Sequence, residues 1–331
     1  MQAIVLVGGE GTRLRPLTAS IPKPALTLVD RPFLAYMIEW LAGHGVTEVV
    51  LACGFLPDQL REALGEDERH GARIRYAVEP ERRGTAGGIR YAADQLGDEL
   101  GERFLALNGD VLNDLDLAAL LRAHEERGAQ ATLALHQVED SAAYGLVTCD
   151  GDGAVTAFTE KTGEPVPGEV NAGSYVLERS VLDLIPPGRE VSIEREIFPR
   201  LVGDGLQALP LDGYWMDIGT PERYLQASWD ILEGRVRTQV KPTAPGLFVG
   251  TGVEVGAGAT VGPRAVIAPG CEVAAGATVR GSVLLDGCTV AAGATVEGSI
   301  LAPGVEVLAG ASLSGAVIGK DETVPAVEVT Q

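Results

Sequence analysis

Gly8-Gly9-Glu10-Gly11-Thr12-Arg13-Leu14-Arg15-Pro16-Leu17-Thr18 follows directly on the apolar run Ala3-Ile4-Val5-Leu6-Val7. The run has the length and branching of a buried strand. Glycine lets the backbone approach a ligand closely and point successive N–H groups at it, so Gly8, Gly9 and Gly11, with Thr12, form a candidate phosphate cradle. Arg13 and Arg15 add guanidinium forks that match phosphate oxygens. A strand ending in such a turn points first to nucleotide chemistry.

Outward from that turn, residues 1 to about 230 alternate short β-branched runs with helical stretches, which predicts an α/β sheet. The expected strands include Val46–Ala52, Arg73–Ala77, Phe104–Leu107, Ala131–His136 and Val155–Phe158. The expected helices include Phe33–His44, Asp58–Leu64, Gly88–Leu96 and Leu117–Arg127.

From about residue 246 the texture changes. Aliphatic residues recur every six positions at Val249, Val255, Val261, Ile267, Val273 and Val279. The beat slips by one after Leu285 and resumes at Val290, Val296, Leu301, Val307 and Leu313. Small residues and Glu fill the intervals. That period is too short for helical repeats and fits the hexapeptide turns of a parallel β-helix. The pattern resembles the left-handed β-helix family. The expected domains are 1–232, a linker at 233–245 and the β-helix at 246–331. A coil stack exposes an open end and a flat face, so a homo-oligomer formed through it is expected.

Composition limits the partners. With 26 basic and 46 acidic residues the formal net charge is −20, and no Lys/Arg block interrupts it. Such a chain repels nucleic acid and anionic membrane. Cys53, Cys149, Cys271 and Cys288 are scattered, which suits reduced cysteines in a cytoplasmic protein. The first apolar run stops at Gly8, too short for a signal or a membrane span.

Two common nucleotide motifs fail. The G-x-G-x-x-G of a dinucleotide fold has Leu14 at its third glycine, and the Walker G-x-x-x-x-G-K-[ST] is absent. What does match, in order, is Gly8–Thr18 followed by Pro22-Lys23-Pro24, Gly84-Thr85-Ala86-Gly87-Gly88, Asn108-Gly109-Asp110, Tyr144-Gly145, Phe158-x-Glu160-Lys161, Asn171-Ala172-Gly173 and Trp215-x-Asp217-Ile218-Gly219-Thr220-Pro221. This ordered set resembles the sugar-1-phosphate nucleotidyltransferases. The resemblance implies a Rossmann-like, GT-A-like mixed α/β sheet followed by the left-handed β-helix. It also implies a reaction between a nucleoside triphosphate and a sugar 1-phosphate.

Roles follow from the resemblance. Asp110 and Asp217, each at a turn, would be paired Mg²⁺ ligands; capping of the turn is the plainer use of either. Arg13 would stabilise the leaving pyrophosphate and Lys23 would reach the phosphates near the reacting phosphorus. Lys161 would hold the sugar phosphate. Glu160, Asn171 and the Gly145 backbone would bind sugar hydroxyls. The Glu160-Lys161 pair also reads as an exposed strand end.

Base choice is expected near Gly84 and Thr85, where Glu79 stands five residues before the glycine. An acceptor-only carboxylate suits guanine's adjacent N1–H and N2–H₂ donors. GTP is therefore favoured, and the likeness of Gly84-Thr85-Ala86-Gly87 to the guanylyltransferase branch of the family implies mannose 1-phosphate as its partner. A thymidylyl- or uridylyltransferase acting on glucose 1-phosphate or a related sugar phosphate is the alternative. Thr162 stands where the family commonly has proline after Glu-Lys, which leaves another hexose or a cyclitol phosphate open. The four histidines, His44, His70, His124 and His136, all precede the β-helix, so an acyltransferase tail lacks its general base. A non-catalytic sensor would be expected to lose Arg13, Lys161 or an aspartate, and it has not.

Overall fold

The computed structural model describes residues 1–65, 68, 70–159 and 165–326. They form two compact units, Met1–Gly9 with Met37–Trp215 and Glu10–Tyr36 with Met216–Gln331. In this division Glu10–Tyr36 and the helix at Pro221–Leu232 group with the repeats.

In the first unit, nine strands make one mixed sheet. They are β1 (Gln2–Leu6), β2 (Glu48–Cys53), β3 (Arg73–Val78), β4 (Arg103–Asn108), β5 (Ala131–Val138), β6 (Leu146–Cys149), β7 (Val155–Thr159), β8 (Gly168–Glu178) and β9 (Leu206–Pro210). The order β7-β6-β8-β4-β1-β2-β3 is parallel from β4 to β3 and antiparallel across β8. The chain fills one side of β1 with β2 and β3, then crosses to place β4 on the other. The crevice beyond the carboxyl ends of β1 and β4 is therefore the topological switch point, where open α/β sheets bind ligands. Gly8-Gly9 and Asn108-Gly109-Asp110 lie at those ends.

The expected strands all form. The long strand β8 was not expected from the sequence. Its pairing with β5 shifts register between Asn171 and Tyr175, and Gly173 there has φ +72°. This bulge breaks the alternation that marks a strand. The helices are α1 (Phe33–Gly43), α2 (Pro57–Leu64), α3 (Gly84–Leu96) and α4 (Leu117–Arg127). Helix α3 starts four residues earlier than expected, so the Gly-Thr-Ala-Gly-Gly run is its first turn. Ile89, Ala92, Ala93 and Leu96 of α3 join Phe104, Tyr175 and Phe198 in the main core.

Under α4 lies a buried polar network. His124 Nε2 is 2.9 Å from Glu178 Oε1, and Nδ1 is 2.8 Å from Thr132 Oγ1. The carboxylate only accepts, so Nε2 carries the proton and Nδ1 accepts from the threonine hydroxyl. Burial holds His124 below its ordinary pKa. Burial opposes the shift at Glu178, but hydrogen bonds from His124 and Arg103 pull that carboxyl below its ordinary value. Both shifts make the unfolded chain the better proton acceptor in acid. The His124 contribution is lost as pH falls below about 6.5, and that of Glu178 goes at lower pH. The unfolding midpoint is therefore expected to fall between pH 7 and 5, with a shallower fall in His124→Gln. An unchanged slope in thermal melts across that range would remove the assignment.

In the second unit, α5 (Pro221–Leu232) precedes the coil stack. Its Tyr224 hydroxyl donates to the Thr27 carbonyl. Its Trp229 lies beside Gly281 and beneath the Arg264 guanidinium, 5.3 Å from the ring centroid.

The repeats form three parallel sheets of five, five and four short strands. Val249 pairs with Ile267, Val255 with Val273 and Val261 with Val279, an 18-residue coil. From Ile267↔Leu284 onward every pairing advances by 17. The interior residue at the slip is Leu284, not Leu285, and after the first coil the slip recurs once per coil. The short corner holds buried Ser282 and Ser299. Ser282 Oγ donates to the Arg280 carbonyl at 2.7 Å and accepts from Ser299 N–H at 3.1 Å. Ser299 repeats this with Glu297 and the Ala316 N–H. Among the described residues no helix is long and apolar enough to cross a membrane.

Candidate functional site

At the switch point, Gly109 N–H donates to the Leu6 carbonyl at 2.9 Å. A Cβ on Gly109 would lie 2.5 Å from Val7 Cγ1 and 2.8 Å from the Leu6 oxygen, so only glycine lets the turn bearing Asp110 close against β1. Asp110 is partly exposed there.

The β8 bulge meets the same edge. Asn171 Oδ1 accepts from Gly173 N–H and its Nδ2 donates to the Tyr175 hydroxyl, each at 2.9 Å. An amide has two donors and two lone pairs, so one of each remains for a ligand. Trp215 Nε1 donates to the Ala172 carbonyl at 2.9 Å. The Tyr144 ring meets Trp215 edge-on at 5.3 Å and His136 stacks on it at 5.5 Å. Tyr144-Gly145, Asn171-Ala172-Gly173 and Trp215, far apart in sequence, thus converge. Glu160 and Lys161 lie outside the described residues.

Gly84 and Thr85 open α3 against residues 189–193. Gly84 has φ +65°, and a Cβ there would lie 2.6 Å from the Val191 carbonyl oxygen, a position that suits glycine alone. Ala86 N–H donates to the same oxygen. Thr85 Oγ1 donates to Glu194 and accepts from Ile193 N–H, so its hydroxyl is engaged within the protein. Glu79 is half-buried beside Gly88. Burial raises its pKa, opposed by a hydrogen bond from the Arg83 N–H and by the Arg83 charge. It is a placed carboxylate rather than a solvated loop residue.

The second unit assembles a different set. Gly11 and Thr12 lead into a short 3₁₀ turn, Thr12–Leu14, and Lys23 sits in another, Lys23–Ala25, with its side chain 9% exposed. Lys23 Nζ is 3.7 Å from Asp217 Oδ1. The Arg13 guanidinium packs over Gly219, where a Cβ would lie 2.6 Å from Nη2 and 3.1 Å from Asp217 Oδ1. Arg13, Lys23 and Asp217 therefore come together from three stretches of chain. Arg223, which no motif singled out, joins them with Nη1 3.2 Å from Asp217 Oδ2. Arg15 lies apart, in an exposed 3.8 Å pair with Glu10.

With this geometry, the comparisons with known proteins define the class. A family model described as nucleotidyl transferase matches residues 2–234, and one described as the GMPPB C-terminal domain matches residues 243–330. The chain belongs to the nucleotidyl transferase family. It is 43% identical over 237 residues to a mannose-1-phosphate guanylyltransferase of Mycobacterium tuberculosis, covering 71% of this chain and 65% of that one. It is 41% identical over 229 residues to a mannose-1-phosphate guanyltransferase of Schizosaccharomyces pombe, covering 68% and 62%. The chain spans about 65% of the length of the first of these curated relatives. Among solved structures, HddC from Yersinia pseudotuberculosis superposes with a TM-score of 0.62 at 27% identity, over 70% of this chain and 99% of that one. A second structure of HddC, complexed with GMP-PN, gives 0.61.

Members of the family generally use divalent metal ions. Asp217 fits that requirement, because its Oδ1 is buried and has no hydrogen-bond partner. Among the described residues no group of three or more His, Cys, Asp or Glu side chains could hold a metal ion. A hard cation that keeps water and phosphate oxygens in its shell needs only one or two carboxylates.

Proposed function

We propose that the protein transfers GMP from GTP to mannose 1-phosphate, releasing pyrophosphate. The observation that carries this reading is the convergence of Arg13 and Lys23 on Asp217, whose inner oxygen has no hydrogen-bond donor. The names of the curated relatives support the substrate pair, and Glu79 supports the base. Its acceptor-only carboxylate faces the need for two adjacent N–H donors, which guanine meets and uracil or thymine does not.

A sugar-phosphate oxygen attacks the α-phosphorus, a P–O bond forms, and the bond to the β-phosphate oxygen breaks. Bound Mg²⁺, assigned to Asp110 and Asp217, would offset the repulsion between the two anions. Gly8, Gly9, Gly11 and Thr12 cradle the triphosphate through backbone N–H groups. Arg13 takes up the charge that develops on pyrophosphate, and Lys23 steadies the phosphates near the reacting phosphorus. Lys161 holds the sugar phosphate, while Glu160, Asn171 and the Gly145 backbone accept or donate to sugar hydroxyls. Four unpaired cysteines suit a cytoplasmic location. Self-association through the β-helix, whose first coil exposes Val255, completes the reading.

Pyrophosphate release over a matrix of five nucleoside triphosphates and a set of sugar 1-phosphates tests it. The GTP and mannose 1-phosphate pair is expected to lead. Glu79→Gln is expected to reduce the preference for GTP over UTP by about tenfold, one good polar contact. No turnover with any pair would end the enzymatic reading. A preference for dTTP or UTP would end only the reading of Glu79.

A further inference from the structure

Arg223 is held both at its backbone and at its guanidinium. It lies in the first turn of α5, whose N-cap is Thr220; the Thr220 hydroxyl accepts from Arg223 N–H at 3.4 Å. From this anchored turn the side chain folds back six residues. Its Nη1 lies 3.3 Å from the Asp217 main-chain oxygen and 3.2 Å from Asp217 Oδ2. One nitrogen thus ties the backbone of Asp217 to one oxygen of its own carboxylate. The carboxylate cannot rotate without breaking that tie. Its other oxygen, Oδ1, is left buried, 3.7 Å from Lys23 and without a hydrogen bond.

We propose that Arg223 is a positioning residue that holds Asp217 so that Oδ1 alone faces the divalent cation. This rests on the assignment of Asp217 to that cation. Without Arg223 the carboxylate can turn both oxygens toward Lys23 and Arg13. A two-pronged ion pair of that kind withdraws it from a metal. Arg223 itself touches neither metal nor substrate.

The test uses the full chain and Mn²⁺ as the probe, titrated by electron paramagnetic resonance in the presence of a non-hydrolysable GTP analogue. Arg223→Ala and Arg223→Met are expected to weaken Mn²⁺ binding by about 10- to 100-fold, the usual effect of removing a partner behind a metal ligand. Arg223→Lys is expected to restore binding to within about threefold, because a single nitrogen makes both contacts. In steady state the loss appears as a higher cation concentration for half-maximal rate, with the KM for the sugar phosphate unmoved. Thermal melts establish that each variant is folded, and the long Met side chain preserves packing if the alanine variant does not fold.

Asp217→Asn separates the two levels of inference. Wild-type Mn²⁺ affinity in Arg223→Ala and Arg223→Met, beside a loss in Asp217→Asn, overturns the positioning role and leaves the metal ligand standing. Wild-type affinity in Asp217→Asn overturns both. A lysine variant as weak as the methionine variant overturns the single-nitrogen tie.

Discussion

Asp217→Asn is expected to lower pyrophosphate release by about 10²- to 10³-fold at saturating GTP, the scale set by loss of one preorganised electrostatic contact to the reacting phosphates. The amide keeps the shape of the side chain and removes the charge. Three cations, Arg13, Lys23 and Arg223, then face a neutral group. Lys23 is the most affected because it is nearly buried, whereas the Arg223 side chain is 35% exposed and water screens it. The accompanying loss of stability should stay within about 1–3 kcal/mol. A calorimetric melt beside the rate assay separates the two effects. Near-normal turnover in a folded variant would remove Asp217 from the chemistry.

Gly109→Ala is expected to damage the first unit severely. Its new Cβ would have to fit 2.5 Å from Val7 Cγ1 and 2.8 Å from the Leu6 carbonyl oxygen. The methyl of Val7 can move, but the carbonyl belongs to a central strand hydrogen-bonded on both sides. Overpacking of this kind costs about 3 kcal/mol. The separation of β1 from the Asp110 turn also displaces Asp110, and a shift of about 1 Å can cost about 10²-fold in rate. Urea unfolding and pyrophosphate release should therefore both change. Wild-type values for both would show that this turn is not tightly set.

Much of the first unit could be read from apolar runs because β1, β2, β4 and β5 are buried strands with few polar interruptions. Strand β8 could not, because Asn171, Gly173 and Ser174 break its alternation where the bulge turns Asn171 toward the switch point. The feature that obscured the strand is the one that shapes the site. Arg13, Lys23 and Asp217 were legible because each sits in a distinctive motif. Arg223 was not, since an arginine in the first turn of a helix looks like any solvated charge until the chain folds back on Asp217. The Thr85 motif points to the nucleotide, and its hydroxyl also holds Glu194 and the Ile193 amide. In the repeats, the six-residue beat was plain. The shortened corner was read once rather than per coil, because a five-residue step looks like an isolated irregularity until the serines are seen stacked.

That corner makes the length of the β-helix a quantised property. Each coil from Leu284 onward reproduces the last at an offset of 17 residues, and Ser282 and Ser299 join a corner to the next corner only at that offset. Duplication or excision of one whole 17-residue coil returns every side chain to its own face and every serine to a partner. A change of one residue within a strand instead turns the following interior aliphatics outward, whereas a corner takes it up, as the 18-residue first coil shows. The domain can thus grow or shrink by whole rungs with its triangular section unchanged, and only its corners tolerate a smaller step.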